Sequence, residues 1–124
     1  MIFGIGIDDV DVERLRRRLG DTGGLKERVF TPREIEYCES RRSSAQNFAA
    51  RFAAKEAFMK AVGTGWRDGL KFTDVEVVNN EKGKPELVLH GVAKRLVDES
   101  GITNVQVSLS HIRDVASAVV ALEK

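Results

Sequence analysis

Residues 48–65, FAARFAAKEAFMKAVGTG, constrain the rest of this chain more than any other stretch. It is the longest run without a helix breaker. Alanines at 49, 50, 53, 54, 57 and 61 give it high intrinsic helix propensity. Gly63 supplies the stop, because glycine takes the left-handed backbone that ends a helix without a Cβ clash. At roughly 100° per residue, Phe48, Phe52, Met59 and Val62 fall on one apolar stripe. The opposite side is mostly alanine, so a second element can approach it closely. A helix that is apolar or small nearly all round is predicted to be buried. Yet Arg51, Lys55, Glu56 and Lys60 ride on it, with Lys55 inside the apolar stripe. An unpaired buried charge is costly, so these groups need partners.

Two readings of those charges compete. In the plainer one, Glu56 pairs with Lys60 one turn on, while Arg51 and Lys55 reach solvent with their heads. In the other, the charges converge with the loop of Gly63, Thr64, Gly65, Trp66 and Arg67. A carboxylate, cations and an exposed glycine loop at one helix end suit a metal-bound phosphate ligand.

The remaining composition narrows the class. A chain of 124 residues is one domain, short for a deep cleft within a single protomer. The formal net charge of +1, with both signs interspersed, argues against general affinity for nucleic acid. Cys38 is the only cysteine, which excludes an internal disulfide and suits a reducing cytoplasm. MIFGIGIDD has no basic leader and carries acid at position 8, so no signal peptide is expected. No apolar run approaches the ~20 residues of a membrane span.

Along the chain, 2–8 reads as a strand with Ile5 and Ile7 on one face and Gly4, Gly6 and Asp8 on the other. The paired glycines are either a tight packing contact or a bare strip of backbone leading to a carboxylate. GIGIDD lacks the third glycine of a dinucleotide fingerprint. Residues 11–19 form an amphipathic helix, Val12, Leu15 and Leu19 inward, Arg14, Arg17 and Arg18 outward, with Asp11 or Asp9 as cap. Those arginines are either a solvated face or a docking surface for an acidic partner. Thr31, Pro32 and Glu34 predict a capped helix start. A hairpin follows from strands over 72–78 and 86–90, then a helix over 92–100. Two strands close the chain, over 105–111 and 115–122. The last is apolar on both faces, as suits burial in a sheet or against another protomer. The order implies an α+β fold. His111 lies on the apolar parity of its strand, beside a turn.

Three segments, GIGIDDVDVERL, RFAAKEAFMKAVGTG and VSLSHIRDVASAVVAL, resemble in order and spacing the bacterial holo-acyl-carrier-protein synthases, members of the 4′-phosphopantetheinyl transferase family. The turn Glu81, Lys82, Gly83, Lys84, Pro85 is similar to the family's NGKP-like turn. The resemblance implies a small α+β domain with a mostly antiparallel sheet packed on a long central helix. It also implies a homotrimer with active sites between protomers. The implied reaction is Mg²⁺-dependent transfer of 4′-phosphopantetheine from coenzyme A to a serine of apo acyl carrier protein. That step releases adenosine 3′,5′-bisphosphate and activates the carrier for fatty acid biosynthesis. By matching position, Asp8 and Glu56 are the expected metal ligands. Lys60 is the expected contact to the transferred phosphate. Arg51, Lys55, Gly63, Thr64, Gly65, Pro85, Ser108 and His111 join Lys60 as expected coenzyme A contacts. Arg14, with Arg17 and Arg18, is expected to receive the acidic carrier. The chain departs from the family at Asp9, which stands where an apolar residue is usual.

The acceptor of the serine proton stays open among His111, Glu56 and a metal-bound water; a neutral imidazole has the best reference pKa, ~6.5. Two rival functions use the same residues: a Mg²⁺-dependent nucleotide or pyrophosphate hydrolase, and a non-enzymatic binding module whose charges are structural pairs.

Overall fold

The glycines of the first strand fix how the fold is built. In the computed structural model, which describes every residue except 22, 64 and 66–68, β1 (Ile2–Asp11) lies directly on α4 (Ser44–Val62). A Cβ on Gly4 would collide with the carbonyl of Ala61, and one on Gly6 with the carbonyl of Ala57. The tight-contact reading of the glycines is therefore right. The bare strip does lead to Asp8 as well, because the same face continues there.

The remaining elements are α1 (Val12–Leu19), α2 (Leu25–Val29), α3 (Pro32–Glu39), a 3₁₀ turn (Phe72–Asp74), β2 (Val75–Asn79), β3 (Pro85–Leu89), α5 (Gly91–Glu99), β4 (Asn104–His111) and β5 (Val115–Glu123). Local signals explain several ends. The Asp11 side chain accepts from the Arg14 amide and caps α1. Thr31 and Glu34 form a reciprocal capping box on α3, with Pro32 in the first turn. Gly63 ends α4 at φ 85°, a left-handed conformation.

The strands form two antiparallel sheets among the described residues, one ordered β1-β5-β4 and a separate hairpin β2-β3. β5 is the middle strand. Its Ala116, Ala118, Val120 and Leu122 are buried against α4. Small residues on both sides let helix and sheet approach closely; the alanines of α4 from Ala49 onward are buried, and so are Phe48, Phe58 and Met59. On the sheet's other face Ile5, Ile7 and Val119 are exposed.

Three boundaries differ from expectation by more than one residue. β1 runs to Asp11, three residues past the strand read over 2–8. α4 starts at Ser44, four residues before the apolar run at Phe48. The segment read as strand from residue 72 begins with a 3₁₀ turn instead, because the Asp74 carboxylate accepts from the Lys71 amide and the Phe72 carbonyl turns to accept from Lys55. Phe48 and Met59 are buried as the stripe predicts, whereas Phe52 and Val62 are only half-buried. Among the described residues no helix is long and apolar enough to cross a membrane.

Candidate active site

A cleft of about 440 Å³ opens where β1, α1, α4 and the 3₁₀ turn meet. Asp8, Glu56, Arg14 and Arg18 line it, over an apolar floor that includes Phe52 and Phe72. The two rings stack with centroids 5.6 Å apart. The fold explains the convergence. Gly4 and Gly6 bring β1 onto α4, so the next residue of that face, Asp8, emerges beside the charged shoulder of the helix. Lys60 closes the corner: its ammonium donates to Asp8 Oδ1 at 3.0 Å and to the Ile7 carbonyl at 2.9 Å. Lys60 thus reaches across to β1. Its side chain is 55% exposed and that of Asp8 18%, so the pair sits at the mouth of the cleft.

Asp9 takes the opposite parity. It also borders the cleft, but its carboxylate accepts from the Ser117 hydroxyl at 2.6 Å on the outer face of the sheet. Asp8, held by Lys60, is the carboxylate presented with Glu56. Arg17 is exposed and is not among the residues lining the cleft.

Lys55 requires a correction. Its ammonium is fully buried and donates to Glu34 Oε1 at 2.9 Å and to the carbonyls of Phe72 and Val75. A side chain so enclosed has no surface left for coenzyme A. It joins α3, α4 and the start of β2 instead. Burial pushes its pKa down, and the facing Glu34 carboxylate opposes that shift. Glu34 is satisfied on every side, accepting also from the amides of Thr31 and Val77.

Arg51 is buried as well, but it borders a second pocket, of about 420 Å³, walled by α3 and the β2-β3 hairpin. Its Nη2 donates to Asn79 Oδ1, and Asn79 pairs with Pro85 across the hairpin. Among the described residues this pocket and the Asp8 cleft share no lining residue.

The other expected contacts are scattered. Gly63 and Gly65 are exposed after α4, both at positive φ, and Thr64 lies outside the described residues. Ser108 is exposed on β4, opposite Val119, on the face that carries Ile7. His111 is exposed at the end of β4, opposite Ala116, which in turn faces Val10. Two strand spacings and one two-residue step put its Cα roughly 12 Å from that of Asp8. Within one chain, then, Asp8, Glu56, Lys60, Arg14 and Arg18 meet, while Arg51, Pro85, Ser108 and His111 do not join them.

The sequence reading missed Glu76. This buried carboxylate accepts from Thr31 Oγ1, from two nitrogens of Arg33 and contacts His90 Nε2 at 2.9 Å. Burial works to raise its pKa, but the hydrogen bonds of Arg33, Thr31 and His90 outweigh it and hold the group at about 2. Alternation along β2 puts Glu76 on the face opposite Val75 and Val77, so no local pattern marked it as buried. Cys38, by contrast, has its thiol pushed up to about 12, chiefly by burial, and is chemically quiet.

Comparison with known proteins decides the family. Residues 4–120 match the model of the 4′-phosphopantetheinyl transferase superfamily. The chain belongs to that superfamily. A Geotalea daltonii protein named holo-[acyl-carrier-protein] synthase is 50% identical over 125 residues, covering 100% of both chains. The crystal structure of holo-[acyl-carrier-protein] synthase from Neisseria meningitidis superimposes with a TM-score of 0.90 at 36% identity, covering 100% of both chains. The Bacillus anthracis holo-(acyl-carrier-protein) synthase, solved in complex with CoA (3′,5′-ADP), gives a TM-score of 0.81 at 36% identity, covering 99% of this chain and 97% of that one. The chain is a phosphopantetheinyl transferase with the α+β fold of these enzymes.

Proposed function

We propose that the protein transfers 4′-phosphopantetheine from coenzyme A to a serine of apo acyl carrier protein, and that the Asp8 cleft is where the transfer occurs. The observation that carries this is one cleft lined by carboxylates for phosphate chemistry and arginines suited to an acidic protein, with Lys60 paired to Asp8 at its mouth. In the reaction, the serine oxygen forms a bond to the β-phosphorus of coenzyme A. The bond from that phosphorus to the bridging oxygen breaks, and adenosine 3′,5′-bisphosphate leaves.

The donor set suits Mg²⁺. Asp8 and Glu56 offer hard oxygens, and this ion usually takes one or two carboxylates and leaves its other positions to substrate phosphates and water. Bound between them, it would neutralise charge on the pyrophosphate. Lys60 already holds its ammonium on Asp8 and is placed to turn it to the transferred phosphate. Arg14 and Arg18 draw the carrier in and set its serine over the cleft. Glu56 is the proton acceptor nearest at hand. His111 serves this role only if it comes from a neighbouring copy, since its own chain keeps it away from Asp8.

That separation supports a homotrimer with shared sites, as does the exposed apolar strip of Ile5, Ile7 and Val119. The residues for coenzyme A on one protomer then complement the Asp8 cleft of the next. The product would serve fatty acid biosynthesis in the cytoplasm.

Incubation with Mg²⁺, coenzyme A and apo acyl carrier protein tests the reading. The carrier should gain the mass of one phosphopantetheine arm. Release of 3′,5′-ADP without a carrier would mark a hydrolase instead, and no reaction would leave a binding module. Sedimentation equilibrium should give three chains per particle, and a fully active monomer would overturn the shared site.

A further inference from the structure

Arg51 is a buried cation with unusual company. It is 2% exposed, and its Nε has no hydrogen-bond partner among the described residues. No carboxylate pairs with it among those residues; its contacts are the neutral Asn79 amide and the ring of Tyr37. The guanidinium carbon lies 4.2 Å from the centre of that ring. Arg41, in the turn after α3, sits over the same ring at 4.5 Å. One tyrosine therefore gathers two guanidinium groups at the wall of a pocket. An aromatic face attracts a cation through its quadrupole and leaves the positive charge uncancelled. A carboxylate in the same place would neutralise it. The arrangement keeps an arginine fixed and still able to attract an anion. Glu81 lines the same pocket and Arg33 borders it, but Arg33 is already held by Glu76.

We propose that Tyr37 is a positioning residue for substrate: its ring holds Arg51, with Arg41 beside it, in the orientation that meets an anionic group of coenzyme A. This rests on the reading of Arg51 as a coenzyme A contact. The ring carries the role and the hydroxyl does not, since the hydroxyl has no hydrogen bond among the described residues.

The test uses the full chain with Tyr37→Phe, Tyr37→Leu, Tyr37 replaced by pentafluorophenylalanine, and Arg51→Gln. Steady-state kinetics gives kcat and the KM for coenzyme A and for the carrier, and calorimetry gives the Kd of 3′,5′-ADP without turnover. Tyr37→Phe should behave as the parent. The leucine and pentafluorophenylalanine variants should weaken 3′,5′-ADP binding and raise the coenzyme A KM by about threefold to tenfold, as loss of a cation–π contact predicts. Their kcat and carrier KM should hold. The fluorinated ring keeps the volume and shape of the pocket wall, so it answers the question even if the leucine variant fails to fold. Equal binding by the phenylalanine and pentafluorophenylalanine variants, with Arg51→Gln impaired, overturns the role of Tyr37 and leaves Arg51 in place. Unchanged binding in Arg51→Gln overturns the reading beneath it, and the role of Tyr37 with it.

Discussion

Two lysines on one helix make nearly the same bond and do opposite work. Lys55 meets Glu34 at 2.9 Å and Lys60 meets Asp8 at 3.0 Å. Both side chains of the first pair are 0% exposed, whereas those of the second are 55% and 18% exposed. Bond length does not separate them; surroundings do. The buried pair has its remaining valences filled by backbone carbonyls and amides, so neither partner can leave without stranding a charge. The mouth pair is half in water, where an ion pair is worth little and exchanges readily. A carboxylate that must accept a metal, and an ammonium that must turn to a phosphate, need the second kind of site. The first kind holds α3, α4 and β2 rigid so that the second stays aligned.

The largest effect should come from breaking the buried pair on one side only. Lys55→Met leaves Glu34 charged and enclosed, and should cost about 3–5 kcal/mol in chemical denaturation. Adding Glu34→Leu should recover much of that loss. A variant with near-parental stability would place Lys55 outside the fold's support and reopen it as a substrate contact.

Asp8→Asn should do the reverse. Transfer should fall by about 10²–10³-fold, the scale of losing one electrostatic stabiliser, while the denaturation midpoint barely moves. If stability falls with activity, the mouth pair is structural too and the contrast fails.

Glu76 lies between these extremes, buried but tied to the exposed side chains of Arg33 and His90. Its folded pKa is lowered from 4.5 to about 2. The stability it contributes is therefore fully present above its unfolded pKa and is lost as pH falls through about 2. Glu76→Gln should cost about 1–3 kcal/mol at neutral pH, with the gap to the parent closing between pH 4.5 and about 2. Parallel acid-unfolding curves for the two proteins would remove this carboxylate from the pH response.

The smallest effect belongs to the exposed arginines that edge the cleft. Arg14→Glu with Arg18→Glu should raise the carrier KM roughly tenfold, about 1.4 kcal/mol, with coenzyme A binding intact. Added salt should weaken the parent's encounter with the carrier in the same direction. A carrier KM indifferent to both would return these arginines to a solvated face.

The sequence by itself determined the order and type of the elements and several of their ends. Helix propensity, the Thr31 capping box and the Gly63 stop act over a few residues, so they are readable in order. It offered a close approach at Gly4 and Gly6 as one of two readings, and the clash of a Cβ there with the carbonyls of Ala61 and Ala57 decided for it. What the wheel could not decide was which lysine of α4 belongs to the core and which to the cleft. Lys55 has its carboxylate at position 34 and Lys60 at position 8, and no local pattern connects residues that far apart. The partner of Glu76 at His90, and the ring of Tyr37 beneath Arg51, escaped for the same reason. Only the tertiary structure decided that the residues grouped by family likeness lie in separate places on one chain. Register sets that distance, since each strand added between Asp8 and His111 moves them apart by about 4.8 Å.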